Sequence, residues 1–257
     1  MTRRFRDGVL EASIPTEGGF ERVRAWQRPD GSVGIRAASA EGIERMRFTL
    51  ALDDDHTPFL RRCEHDPLLR ETARQLRGLR QLRLATVAHA LLRALCGQLI
   101  TSKQARMIER RVIGRVTPGI PPTRESLGAV APARLRALGL HSRRAASLVR
   151  LCRELDPERL RALPTRAVER RLLRERGLGP WSVGLVCLEG LGRSECGLVG
   201  DLGLVKLLAA LRGGGWVEGP ETAELLEPYE EWAGLASVYL LAGFANGLVP
   251  LPAPRAA

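Results

Sequence analysis

The period of the apolar positions changes partway along the chain. In residues 1–52 they fall in short, partly alternating runs: Val9–Ile14, Arg22–Trp26, Ser32–Arg36 and Met46–Leu50. Glu17-Gly18-Gly19 and Pro29-Asp30-Gly31 separate the first three with residues suited to tight turns. This predicts a small antiparallel β layer, with 40–45 unassigned. Asp53-Asp54-Asp55 then interrupts the pattern as a solvated turn or helix cap. From Pro58 onward the apolar spacing is helical. A first helix is predicted around Phe59–Leu69 and a second ends near Gly78. The long Val87–Val116 stretch is broken at Gly97–Ser102, where Thr101 or Ser102 caps the next helix. Further helices are predicted at Ser142–Leu155, from Pro164-Thr165 onward, after Asp201, at Glu221–Glu231 and at Trp232–Phe244. Pro118–Thr123 and Gly213-Gly214-Gly215 read as loops, and Pro250–Ala257 as a frayed tail. The expected fold is α+β, with an N-terminal β layer at 1–57 and a helical core at 58–257.

One stretch carries the strongest local signal. Gly177-Leu178-Gly179-Pro180-Trp181-Ser182 lies between two helical patterns, one through Val168, Leu172 and Leu173, the other through Val183, Val186, Cys187 and Leu191. Glycine suits a turn with unusual backbone angles. Pro180 fits the first turn of the following helix, where its missing N–H costs nothing. The prediction is helix, tight hairpin, helix, at about 172–192. Such a hairpin aims backbone N–H groups at one point, a good seat for a phosphate. About twenty residues further on, Gly200-Asp201-Leu202-Gly203 sets an isolated carboxylate just before another apolar helix.

Charge gives this motif a partner. The formal net charge is +11, but it is unevenly spread. Residues 1–59 carry −1, residues 60–176 carry +17, and residues 177–257 carry −5. A solvated basic surface would explain part of this. Concentration of the excess in one block fits a polyanion-binding lobe better. Arginine outnumbers lysine 38 to 2, a bias that explains the residue type but not the clustering. No apolar run reaches the ~20 residues of a membrane span. No apolar stretch follows the opening Met-Thr-Arg-Arg-Phe-Arg, so neither a signal peptide nor a membrane partner is expected, and the expected location is cytoplasmic. Five cysteines without a Cys-x-x-Cys pair read as reduced, buried thiols. Neither a metal nor any other cofactor is expected.

Hairpin and aspartate together resemble the helix-hairpin-helix DNA glycosylase superfamily, most closely its 3-methyladenine DNA glycosylase II branch, over roughly Pro58–Val249. The resemblance implies a two-lobed helical core with a small β domain away from the site. It implies a monomer that binds double-stranded DNA containing damaged bases and hydrolyses an N-glycosidic bond. Asp201 would be the catalytic carboxylate, although aspartate before a helix is also a common N-cap. Gly177, Gly179, Pro180 and Ser182 would meet the DNA backbone, and Leu99 would fill the space left by the extruded base. Trp181, Leu185, Gln98 and Leu241 would line the base pocket. Bifunctional relatives carry a lysine at the position of Trp181, and tryptophan cannot form their Schiff base. The implied activity is therefore monofunctional release of alkylated purines such as 3-methyladenine and 7-methylguanine. Close relatives carry aromatic residues where Leu185 and Leu241 stand, so a mainly apolar pocket is expected. The competing reading is a catalytically silent module that binds bent or damaged DNA.

Overall fold

The computed structural model describes residues 2–252. The end of the proline-containing tail, 253–257, lies outside the described residues. Four strands form an antiparallel meander in the order β1-β2-β3-β4: β1 (Arg3–Arg6), β2 (Val9–Thr16), β3 (Gly19–Gln27) and β4 (Val33–Arg36). Ala12 opposes Val23 and Leu10 opposes Ala25 across the central pair. Ala12, Ile14, Val23 and Ala25 are buried on one face, the alternation expected of a sheet covered on one side only. β1 was not foreseen, because three arginines in Arg3–Arg6 hide its period.

What covers the sheet corrects the sequence reading. Met46–Leu50 is not a strand; it ends helix α1 (Ala40–Thr49). The Ser39 side chain caps this helix by accepting from Gly42 N at 3.0 Å. Gly42, Met46 and Thr49 are its buried residues, a spacing of three to four that outweighs the short alternation. Met46 fills the small core under the sheet.

The remaining helices are α2 (Thr57–Cys63), α3 (Arg70–Gln75), α4 (Val87–Gly97), α5 (Ser102–Val116), α6 (Arg124–Gly128) and α7 (Pro132–Ala137), followed by α8 (Ser142–Glu154), α9 (Thr165–Leu173), α10 (Pro180–Leu185), α11 (Leu202–Leu211) and α12 (Ala233–Ala245). α10 runs directly into a π-helical segment, Val186–Leu191. The acidic 221–231 stretch forms two 3₁₀ segments rather than one α-helix, Gly219–Leu225 and Glu227–Trp232, each with a proline in its first turn. α4 is the central element: every residue from Val87 to Cys96 is buried. It packs against α5, α8, α10 and the π segment, while α12 packs against α3 and α11. Two helical groups result, and a cavity opens between them.

Candidate active site and DNA interface

The hairpin forms where the sequence indicated. α9 ends at Leu173, and Gly177 adopts φ +98°, a conformation that side chains other than glycine rarely take. Gly179 is extended and is the N-cap of α10, with Pro180 in the first turn. A Cβ added at Gly179 would meet nothing within 4 Å, so this glycine does not serve internal packing. The N–H groups of Gly177 and Gly179 donate to no atom among the described residues. Both residues and Pro180 are exposed. The five arginines along α9 and just beyond it, at 166, 170, 171, 174 and 176, are exposed as well.

Ser182 requires a correction. It is 2 % exposed, so its side chain cannot meet a DNA backbone. Its hydroxyl instead accepts a hydrogen bond at 2.9 Å from Gln98 Nε2, which also donates to the Gly177 carbonyl at 2.8 Å. Gln98 borders the cavity, but its amide nitrogen is committed to bracing the hairpin. The next residue, Leu99, is 87 % exposed at φ +55°. A leucine held out in water in the left-handed region is a strained arrangement, of a kind concentrated at functional sites. Thr101 then caps α5 in a reciprocal capping box with Gln104.

Asp201 is the N-cap of α11, and its Oδ1 accepts from Gly203 N at 2.8 Å. Its other oxygen, Oδ2, accepts from the indole Nε1 of Trp181 at 2.8 Å. Sequence reasoning named both residues but did not foresee this bond. Trp181 is held from behind by Gly97: a Cβ there would stand 2.5 Å from the indole Cη2. The ring is thus clamped between the end of α4 and the start of α11.

These residues border one cavity of about 840 Å³, lined by the end of α4, the first turns of α5, the hairpin, the start of α11 and Leu241 of α12. Asp201, Trp181, Leu185, Gln98, Leu99, Leu241, Gly179 and Pro180 all contribute to it. The lining is mainly apolar, as expected, but it also includes charged side chains the expectation did not name: Arg93, Glu109, Glu189, Arg106 and Lys206. Arg93 of α4 donates from Nη2 to Glu109 Oε1 of α5 at 2.8 Å and from Nη1 to Glu189 of the π segment. His89, one turn before Arg93, lies 2.7 Å from Glu109 Oε1. Burial alone would push the Glu109 carboxyl up, but the His89 hydrogen bond and the Arg93 charge hold it down at about 2. Burial pushes the His89 imidazole below its usual range, against the pull of Glu109. The signal was present in the sequence: a histidine and an arginine four apart within an otherwise apolar helix, and a lone glutamate in the apolar run after the hairpin. Arg3 of β1 lies within electrostatic reach of Glu189 and Arg93, so the β layer comes close to this charged floor.

No family model matches the chain. A DNA-3-methyladenine glycosylase of Bacillus subtilis is 27 % identical over 206 residues, covering 74 % of this chain and 67 % of that protein. Among solved structures, the 3-methyladenine DNA glycosylase of Archaeoglobus fulgidus superposes with a TM-score of 0.80 at 20 % identity, over 95 % of this chain and 89 % of that one. The 8-oxoguanine glycosylase/lyase of Clostridium acetobutylicum, in complex with double-stranded DNA, gives 0.74 at 16 % identity, over 96 % and 100 %. The hairpin, with the capping aspartate twenty residues beyond it, sits in a fold that this chain shares with these DNA glycosylases.

Proposed function

We propose that the protein is a monofunctional DNA glycosylase that releases alkylated purines, of the 3-methyladenine and 7-methylguanine type, from duplex DNA. The observation that carries this reading is Asp201, which opens into an 840 Å³ cavity with both carboxylate oxygens fixed by Gly203 N–H and Trp181 Nε1–H.

A base in duplex DNA must leave the stack before its glycosidic bond can be reached. The exposed N–H groups of Gly177 and Gly179 offer an anion seat for a phosphate. Leu99 stands out from the surface as an apolar plug for the gap in the duplex. The extruded base enters the cavity and stacks on Trp181, whose face also attracts a cationic base. As the bond breaks, the sugar gains positive charge. Asp201 opposes that charge and orients or deprotonates the attacking water. N3- and N7-alkylated purines are cationic and already weakly held, so this equipment suffices for them.

The hairpin offers no amine for covalent catalysis, because Trp181 occupies that position. Among the described residues, the one amine on the cavity wall is Lys206, on α11. Two measurements on methylated duplex DNA test the reading. Single-turnover release should be faster for 3-methyladenine and 7-methylguanine than for hypoxanthine or uracil in the same duplex context; the reverse order refutes the substrate class. Borohydride should trap no protein on DNA, and a covalent adduct would overturn the monofunctional assignment and point to Lys206.

A further inference from the structure

The charged floor of the cavity has no part in the mechanism above. Glu189 is its most accessible carboxylate. Three features distinguish it. First, it sits in the π segment Val186–Leu191, a geometry that turns a side chain away from its α-helical position and recurs at functional sites. Its backbone is anchored there, with the Glu189 carbonyl accepting from Leu84 N at 2.6 Å. Second, Arg93 Nη1 donates to Glu189 Oε2, and Arg93 is itself tied to the buried Glu109. The carboxylate is therefore fixed in orientation from behind. Third, Oε1 of Glu189 has no hydrogen-bond partner among the described residues, and the residue lines the cavity. The result is a preorganised acceptor oxygen on a residue that lines the cavity an extruded base would enter.

We propose that Glu189 is a specificity-determining residue that accepts a hydrogen bond from the exocyclic amino group of the extruded purine. The proposal rests on reading this cavity as the base pocket. A fixed carboxylate gains a charge-assisted bond from an amino edge, such as the 6-amino group of 3-methyladenine or the 2-amino group of 7-methylguanine, and repels a carbonyl presented in its place. A site built to bond a donor also rejects an analogue that lacks it, because the site group is left unpaired. Arg93, Glu109, Arg3 and Arg106 surround Glu189 and keep the floor near charge balance, so the preference comes from the geometry of one oxygen rather than from a bulk negative field.

The test uses the full-length protein and two free bases, 3-methyladenine and 3-methylpurine, which differ only in the 6-amino group. Calorimetric titration of the wild type should show the amino-bearing base binding roughly tenfold more tightly, the scale of one charge-assisted hydrogen bond. Glu189→Ala should bring the two affinities within about twofold of each other. Glu189→Gln, which keeps an acceptor oxygen, should retain part of the preference. A group that merely holds Arg93 in place would change both affinities together and leave their ratio intact. Equal binding by the wild type, or an unchanged ratio in Glu189→Ala, overturns the proposal; the first outcome needs no variant and so cannot be confused with misfolding. Selective base binding without base release from methylated DNA would refute the glycosylase activity while sustaining this inference.

Discussion

Asp201→Asn separates the structural and chemical roles of one side chain. The carboxylate accepts two hydrogen bonds, from Gly203 N through Oδ1 and from Trp181 Nε1 through Oδ2, both at 2.8 Å. Asparagine caps helices as well as aspartate does, so one amide oxygen can replace Oδ1. The amide nitrogen must then face the indole N–H, donor against donor. Trp181 is only half-buried, so water relieves part of that conflict, and the cost to stability should be about 1 kcal/mol. A shift of that size lowers Tm by roughly 2–4 °C for a chain of this length. Chemistry should suffer far more. The neutral amide no longer opposes the cationic sugar, and loss of one such group costs about 10²–10³ in rate, or ~3–4 kcal/mol. DNA affinity should be unchanged or tighter, since a negative charge is removed from the interface. Single-turnover release of 3-methyladenine from methylated duplex DNA, with thermal unfolding of the same samples, measures both effects. A rate within tenfold of the parent enzyme would falsify the catalytic assignment and leave Asp201 as a helix cap. A large loss of stability with a proportionate loss of activity would likewise refute the separation argued here.

Leu99→Ala should leave thermal stability within about 0.5 kcal/mol, because the side chain is 87 % exposed, yet slow base release from duplex DNA more than from single strands; equal slowing on both would remove the plug role. DNA affinity should fall steeply with salt, with log K dropping by ~0.9 per log unit of salt for each phosphate neutralised, and a flat response would show that the basic 60–176 block does not meet DNA. The protein should lose stability in acid. Glu109 is held at about 2, against 4.5 for a free carboxyl, so its contribution is complete above 4.5 and is lost as pH falls from about 4.5 to 2. The buried His89, with its affinity for a proton reduced, pushes the same way below its ordinary titration range. Urea unfolding across pH 7 to 3 measures this, and Glu109→Gln should flatten the lower part of the curve; an unchanged curve would refute the assignment.

What could be read from the sequence was what local chemistry dictates. Gly177 and Pro180 permit few backbone solutions, so the hairpin was legible without any tertiary information. The break at Gly97–Ser102 and its Thr101 cap were legible for the same reason. The end of α1 was misread because five residues contain both an alternation and a helical spacing. Only the Ser39 cap and the sheet beneath Met46 decide between them. Ser182 was misassigned because its neighbours Gly179 and Pro180 are exposed. In the first turn of a helix one residue of three faces inward, and Gln98, distant in sequence, determines which.

The cavity floor left only separate traces in the sequence, for a deeper reason. Arg93, Glu109 and Glu189 lie on three separate elements, and each alone looks like a charged residue misplaced in an apolar run. Taken singly, each would be costly to bury; taken together, each offsets the desolvation of the others. Such a network contributes little net stability compared with apolar packing of the same volume, so stability alone does not account for it. Its position does. It lines the same cavity as Trp181 and Asp201, where aliphatic Leu185 and Leu241 supply no aromatic grip. A pocket with one stacking surface holds a flat base loosely in its own plane. A fixed polar edge is what removes that freedom, and Glu189, braced through Arg93, is placed to supply it.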